Sequence, residues 1–193
     1  MQRVAELKRL VAEYENKRSI NVREDDANVA LRDWLASGID WRSHRAVVFL
    51  DPFGMQVPWS IVEALAATKA IEVLINFPFG MAINRLLARS GEIDPGWQTS
   101  LDTFFGSPEW RSLAYTEDRD LFGPRRNKAH DASEQILEWY RTRLRKIFGH
   151  VSTARLIKNT RGNPLYYLIW AGPNQMGLKG AEHILSKGER VRK

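Results

Sequence analysis

The sequence predicts an α/β fold, a mostly parallel sheet flanked by helices and ending in a C-terminal antiparallel hairpin. Three observations predict it. Residues 46–50 (Ala-Val-Val-Phe-Leu) and 71–76 (Ile-Glu-Val-Leu-Ile-Asn) are apolar, β-branched runs that stop at Asp51-Pro52 and Phe77-Pro78. Near-continuous runs of this kind belong to strands covered on both faces. Helix-period segments precede, separate and follow them. Residues 151–157 and 165–170 are two further strand-like runs, joined by the turn-forming Asn159-Thr160-Arg161-Gly162-Asn163-Pro164, which reads as a hairpin.

Taken in order, residues 3–15 form a helix, because Val4, Leu7, Val11 and Tyr14 recur at spacings of three and four. Residues 19–23 alternate as a short strand. Asp26 caps a helix that runs to about Ala36. After the 46–50 strand, Pro58 suits a first helical turn, and Ile61, Val62, Leu65 and Ala66 line one face of a helix reaching Lys69. After the 71–76 strand, residues 80–89 read as helical. Residues 91–129 hold seven Gly or Pro breakers and several aromatics, so an insertion of short helices and loops is expected over about 91–130. Residues 132–148 give the strongest helix, with Ile136, Leu137, Tyr140, Leu144, Ile147 and Phe148 as its apolar stripe. A last helix covers about 177–187. The whole chain, 1–193, reads as a single domain.

Composition narrows the function. The 193 residues contain no Cys, which excludes a disulfide scaffold, a zinc finger, an iron–sulfur site and thiol catalysis. No apolar run is long enough to span a bilayer, and the charged start lacks the apolar core of a secretory signal; a soluble, cytoplasmic protein is expected. Of the 29 Lys+Arg and 23 Asp+Glu, residues 119–193 hold 16 and 6 and residues 1–118 hold 13 and 17. The basic excess therefore sits in the C-terminal part, as for a surface that meets a polyanion such as nucleic acid; a solvated helix face and a basic tail would give the same pattern.

The residues able to carry chemistry sit at strand ends, where open α/β sheets bind ligands. Asp51 emerges after five apolar residues with a carboxylate that can accept hydrogen bonds. Pro52 stiffens the exit, Phe53 offers a face for stacking, and Gly54 lets the backbone turn sharply or approach a ligand. The same four residues also suffice for a plain strand-to-loop turn. Glu24, Asp25 and Asp26 have the composition of a divalent-ion site or of a helix cap. The four His, at 44, 130, 150 and 183, have no metal-ligand spacing, and no metal site is expected.

Longer motifs run through these strand ends. They are Val48-Phe49-Leu50-Asp51-Pro52-Phe53-Gly54-Met55-Gln56-Val57-Pro58-Trp59, Leu74-Ile75-Asn76-Phe77-Pro78-Phe79-Gly80-Met81-Ala82-Ile83-Asn84-Arg85, and Asn163-Pro164-Leu165-Tyr166-Tyr167-Leu168-Ile169. With Asp26-Ala27-Asn28 and Phe104-Phe105-Gly106 followed by Trp110, they resemble the three-Cys-motif partner family, TcmP, over nearly the whole chain. The resemblance implies a Rossmann-like class I methyltransferase fold with S-adenosylmethionine (SAM) as cofactor. It also implies a partner with a three-Cys, radical-SAM-like motif.

It implies further that Asp26 and Ala27 hold the adenine of SAM, and that Asp51, Pro52 and Phe53 form the catalytic strand end. There amino-methyltransferases carry an Asp/Asn-Pro-Pro-aromatic motif that accepts hydrogens from a target amine and stacks on its base. Here the second Pro is missing and the aromatic comes one place early. Gly54, Gln56, Trp59, Asn76, Phe77 and Arg85 would line the same substrate cleft.

The Gly-rich turn that brings such a backbone to the methionine end of SAM has no counterpart in this sequence. By element order the fold's first strand, first helix and second strand are missing, so a truncated or degenerate member is expected, binding SAM weakly or not at all. The functions to be weighed are a SAM-dependent methyltransferase-like protein acting on a nucleic-acid base with its three-Cys partner, an inactive nucleic-acid- or partner-binding module, and a Mg-dependent nuclease built on Asp51 and the acidic cluster.

Overall fold

The computed structural model describes residues 2–13, 20–52, 54–78, 80, 83–88, 91–120 and 123–187. The chain divides into two compact units, Met1–Gly38 and Ile39–Lys193.

The first unit holds α1 (Gln2–Ala12) and α2 (Ala27–Leu35). Asp26 caps α2 as its sequence position predicts: its Oδ1 accepts from the amides of Asn28 at 2.8 Å and Val29 at 3.1 Å, satisfying two of the first-turn donors that a helix leaves open. The strand expected over 19–23 does not form among the described residues, since 20–24 carry no strand. A short alternating run becomes a strand only beside a partner that takes its backbone hydrogen bonds. Arg23 instead bridges Asp25 at 2.9 Å and Asp33 at 2.6 Å.

The second unit runs β1 (Ala46–Leu50), α3 (Trp59–Ala67), β2 (Ile71–Phe77), α4 (Asn84–Leu86), α5 (Pro95–Phe105), α6 (Trp110–Ala114), β3 (Tyr115–Asp120), β4 (Gly123–Lys128), α7 (Ala132–Phe148), β5 (His150–Val151), β6 (Arg155–Lys158), β7 (Pro164–Gly172) and α8 (Gln175–Lys187). Its main sheet is mixed rather than mostly parallel. β1 pairs β2 in parallel; β2 pairs β7 antiparallel, and β5 and β6 both pair β7 antiparallel. Parallel neighbours require a crossover, and β1-α3-β2 is the crossover that forms here. β6 and β7 form the expected C-terminal hairpin. Its turn is closed by the amide of Asn159 on the carbonyl of Asn163 at 2.9 Å, with Gly162 at φ +80°.

The strand expected over 151–157 is two strands, β5 and β6. They are separated at Ser152, whose carbonyl accepts from Arg141 Nε at 3.2 Å and Nη2 at 3.0 Å instead of joining a ladder. The 91–130 region contributes α5, α6 and an unexpected hairpin, β3–β4, which forms its own two-stranded sheet. Its strands are mostly charged and lack the apolar alternation that marks a half-buried strand.

Strand alternation divides the main sheet into two faces. Val73, Ile75 and Phe77 of β2 lie with Ile169 and Ala171 of β7 on the core face, each at most 2 % exposed. The apolar stripes of α3 (Ile61, Val62, Leu65), α5 (Leu101, Phe104, Phe105) and α7 (Ile136, Tyr140, Leu144) complete this core. An aromatic cluster sits at its centre, with Phe77 and Tyr140 centroids 4.8 Å apart and Phe104 stacked on Tyr140 at 5.7 Å. Glu72, Leu74 and Asn76 point to the other face with Leu168 and Trp170. On β1 that face carries Val47, 69 % exposed, and Phe49, 56 % exposed. The continuous apolar run of β1 is therefore not covered on both sides as expected; among the described residues β1 is the outer strand of the sheet.

Candidate functional site

Because β1 and β2 are parallel, their C-terminal ends meet at one edge of the sheet. Because β7 is antiparallel to them, it begins at that same edge. The result is a hollow of about 170 Å³ lined by Asp51, Pro52, Gly54, Asn76, Pro78, Leu165 and Tyr166. Gly54 takes φ +83°, the left-handed conformation that lets the chain turn away directly after Asp51-Pro52. Beside the hollow, Gly80 packs against the start of β7: a Cβ there would lie 2.4 Å from the carbonyl oxygen of Pro164, so the chain after β2 approaches β7 this closely only as glycine.

Two side chains give the hollow its chemistry. Asn76 is 6 % exposed, and its Nδ2 donates to Asp51 Oδ1 at 2.5 Å. A carboxylate only accepts, so this bond fixes which way the amide faces. Asn76 Oδ1 is then left buried with no hydrogen-bond partner among the described residues. Desolvating an acceptor without a partner costs ~1–3 kcal/mol. Asp51 is exposed, and its two oxygens accept more bonds than the one from Asn76. Asp51 and Asn76 thus line one recess together with Pro78, Leu165 and Tyr166. That arrangement suits a planar, donor-bearing group such as an amine or amidine, and repels anions.

The other sequence-expected residues fall in several places. Pro52 and Gly54 line the hollow, whereas Phe53 lies outside the described residues. Gln56 is exposed and is not part of the lining. Phe77 is fully buried in the aromatic cluster, since alternation sends it to the face opposite Asn76. Arg85 is exposed on α4. Trp59 is 3 % exposed and borders a different hollow, of about 190 Å³, with Glu63, Glu109, Trp139 and Arg143. There the Arg143 guanidinium lies 4.0 Å from the Trp59 ring centroid and 4.9 Å from that of Trp139. Arg143 donates to the carbonyl of Phe105, and burial lowers its pKa from the usual value; these contacts give it a packing role.

Asp26 and Ala27 belong to the first unit, where Asp26 Oδ1 is taken up by the α2 cap. Among the described residues Asp26 Oδ1 is engaged in that cap, and the sequence has no glycine-rich turn to hold the methionine end of SAM. Among the described residues no group of three or more His, Asp or Glu converges as a metal-holding set. Asp25 is paired with Arg23, and Asp26 is the helix cap.

Sequence reading missed Pro78, Leu165 and Tyr166 as wall residues. The signal was present: the first residues of a strand antiparallel to β2 must lie at the C-terminal end of β2. Comparison with protein-family models, with curated proteins and with solved structures finds no match to this chain.

Proposed function

We propose that this chain is a methyltransferase-like protein of the three-Cys-motif partner type, whose Asp51–Asn76 hollow receives the amino group of a nucleic-acid base. The observation that carries the reading is the pairing of an exposed carboxylate with a buried amide oxygen that has no donor among the described residues. An exocyclic base amine supplies two N–H donors, one for each acceptor. Leu165, Pro78 and Tyr166 give the base ring apolar contact, and the basic excess of residues 119–193 supplies attraction to phosphates. The proposed partner remains a protein with a three-Cys, radical-SAM-like motif.

No transfer step is assigned to residues of this chain. The lack of a glycine-rich turn favours a second reading, in which the chain binds its nucleic acid or partner without catalysing. Two titrations test the proposal. Calorimetry with short single-stranded oligonucleotides should show tighter binding to adenine- or cytosine-bearing strands than to matched hypoxanthine- or uracil-bearing ones, a preference lost in Asp51→Ala. Equal affinity for all four strands refutes the amine site. Titration with SAM separates the two readings: micromolar binding supports a methyltransferase, and none supports the binding module.

A further inference from the structure

We infer that β1 is a self-pairing edge, and that two copies of this chain join by antiparallel β1–β1 pairing across a two-fold axis at Val48. The backbone comes first. The amide of Ala46 donates to the carbonyl of Ala70 at 3.3 Å, and Ala46 registers with Ile71. In a parallel pair, alternate residues turn both backbone groups to the same side. Ala46, Val48 and Leu50 therefore face β2, and Val47 and Phe49 point their N–H and C=O groups away from the sheet. Among the described residues β1 has β2 as its partner and is the outer strand, and it contains no Lys, no Pro and no bulge, three of the devices that blunt an edge. Val47 and Phe49 are 69 % and 56 % exposed on one face.

Side chains select the partner and the register. With the two-fold axis at Val48, Val47 lies opposite Phe49 of the second copy, in hydrogen-bonded pairs that use those outward groups. Two positions further out, at the next hydrogen-bonded pair, Arg45 faces Asp51 of the second copy, and the same pair recurs on the other side of the axis. Arg45 is exposed, held at its Nη1 by the carbonyls of Trp41 at 3.0 Å and His44 at 2.9 Å. Moving the axis to Val47 or Phe49 breaks this charge match. The pairing also sets a guanidinium from the second copy at the mouth of each Asp51–Asn76 hollow, so each copy contributes a residue to its neighbour's recess.

The chain has no Cys, so single cysteines report the register directly. The full chain should sediment at twice its 22.2 kDa mass. Val48→Cys should form an intermolecular disulfide under mild oxidation, because the residues on the axis are a non-hydrogen-bonded pair with Cα atoms about 4.5 Å apart. Val47→Cys, off the axis, should not. Val47→Lys should give a monomer with unchanged far-UV circular dichroism, since that side chain is already in solvent. Should Val47→Lys fail to fold, the cysteine pair decides alone. A monomer at every concentration, a dimer that survives Val47→Lys, or crosslinking through position 47 in place of 48 overturns the proposal.

Discussion

Replacing Asn76 by Asp tests the geometry on which the site rests. The amide nitrogen of Asn76 sits 2.5 Å from Asp51 Oδ1, and the residue is 6 % exposed. The substitution turns a donor into a second carboxylate at that contact with almost no change in volume. Two ionised carboxylates about 4 Å apart repel by ~4 kcal/mol at the effective dielectric of a protein edge. The folded variant escapes this by taking up one proton that the unfolded chain, with its carboxylates far apart, releases at ordinary acidic pH. The folded state then binds more protons than the unfolded state, so its stability falls as pH rises.

Urea unfolding of both proteins from about pH 4 to about pH 8 measures the effect. Asn76→Asp should lie close to the parent at the acid end and fall behind by ~2–4 kcal/mol at neutral pH. The exchanged double variant, Asp51→Asn with Asn76→Asp, restores one donor and one carboxylate and should recover most of the loss. A deficit that is the same at every pH, or that persists in the exchanged variant, would show that the two side chains do not share the contact.

Two further substitutions probe the framework. Gly106 has φ +64°, and a Cβ there would lie 2.6 Å from Trp59. Gly106→Ala should therefore cost both the left-handed strain and an overpacking penalty, ~2–5 kcal/mol together, whereas Gly162→Ala, at φ +80° with open space around it, should cost only ~1–2 kcal/mol; equal losses in denaturant midpoint would remove Trp59 as the cause. Tyr140 is fully buried, and desolvation raises its phenol above the ordinary value. Its stabilising contribution is complete below about pH 10 and is lost as the unfolded tyrosine ionises above that pH, at no more than ~1.4 kcal/mol per pH unit. Tyr140→Phe should flatten this alkaline fall, and an unchanged slope in urea titrations would assign the fall to other groups.

Local patterns legible in the sequence were those whose cause is local. Residues 132–148 repeat an apolar stripe at helical spacing and form α7 at those bounds. Asp26 and the 159–164 turn act through bonds to neighbours within five residues, and both behave as read. Strand partners depend on distant segments, and there the reading diverged. The 19–23 run has the alternation of a strand but forms none over 20–24, and the 151–157 run is interrupted where Arg141 of α7 claims the Ser152 carbonyl. At the site, Asp51 and Asn76 were both visible as strand-end residues. Their direct bond follows from the β1–β2 register, and the Leu165–Tyr166 wall from the antiparallel placement of β7, neither of which the sequence states. Trp59 and Phe77 were placed at a cleft because they adjoin strand-end motifs. One buried helix face and one strand alternation move them into packing.

The two polar residues on the outer face of β2 show what distinguishes packing from binding. Glu72 accepts from Trp170 Nε1 at 3.2 Å and is hemmed in by Gly177, where a Cβ would come 2.5 Å from Glu72 Oε1. Its carboxylate thus ties β2 to β7 beneath α8. Asn76 lies two alternations further along the same strand and donates to Asp51, yet its own oxygen is buried with no hydrogen-bond partner among the described residues. An asparagine that only held Asp51 in place would carry the full desolvation penalty of that oxygen, ~1–3 kcal/mol, with no return. A donor entering from the hollow removes the penalty on binding. The strand therefore keeps its structural carboxylate under a helix and its unsatisfied amide at the C-terminal end of the sheet, beside a second acceptor that lines the hollow.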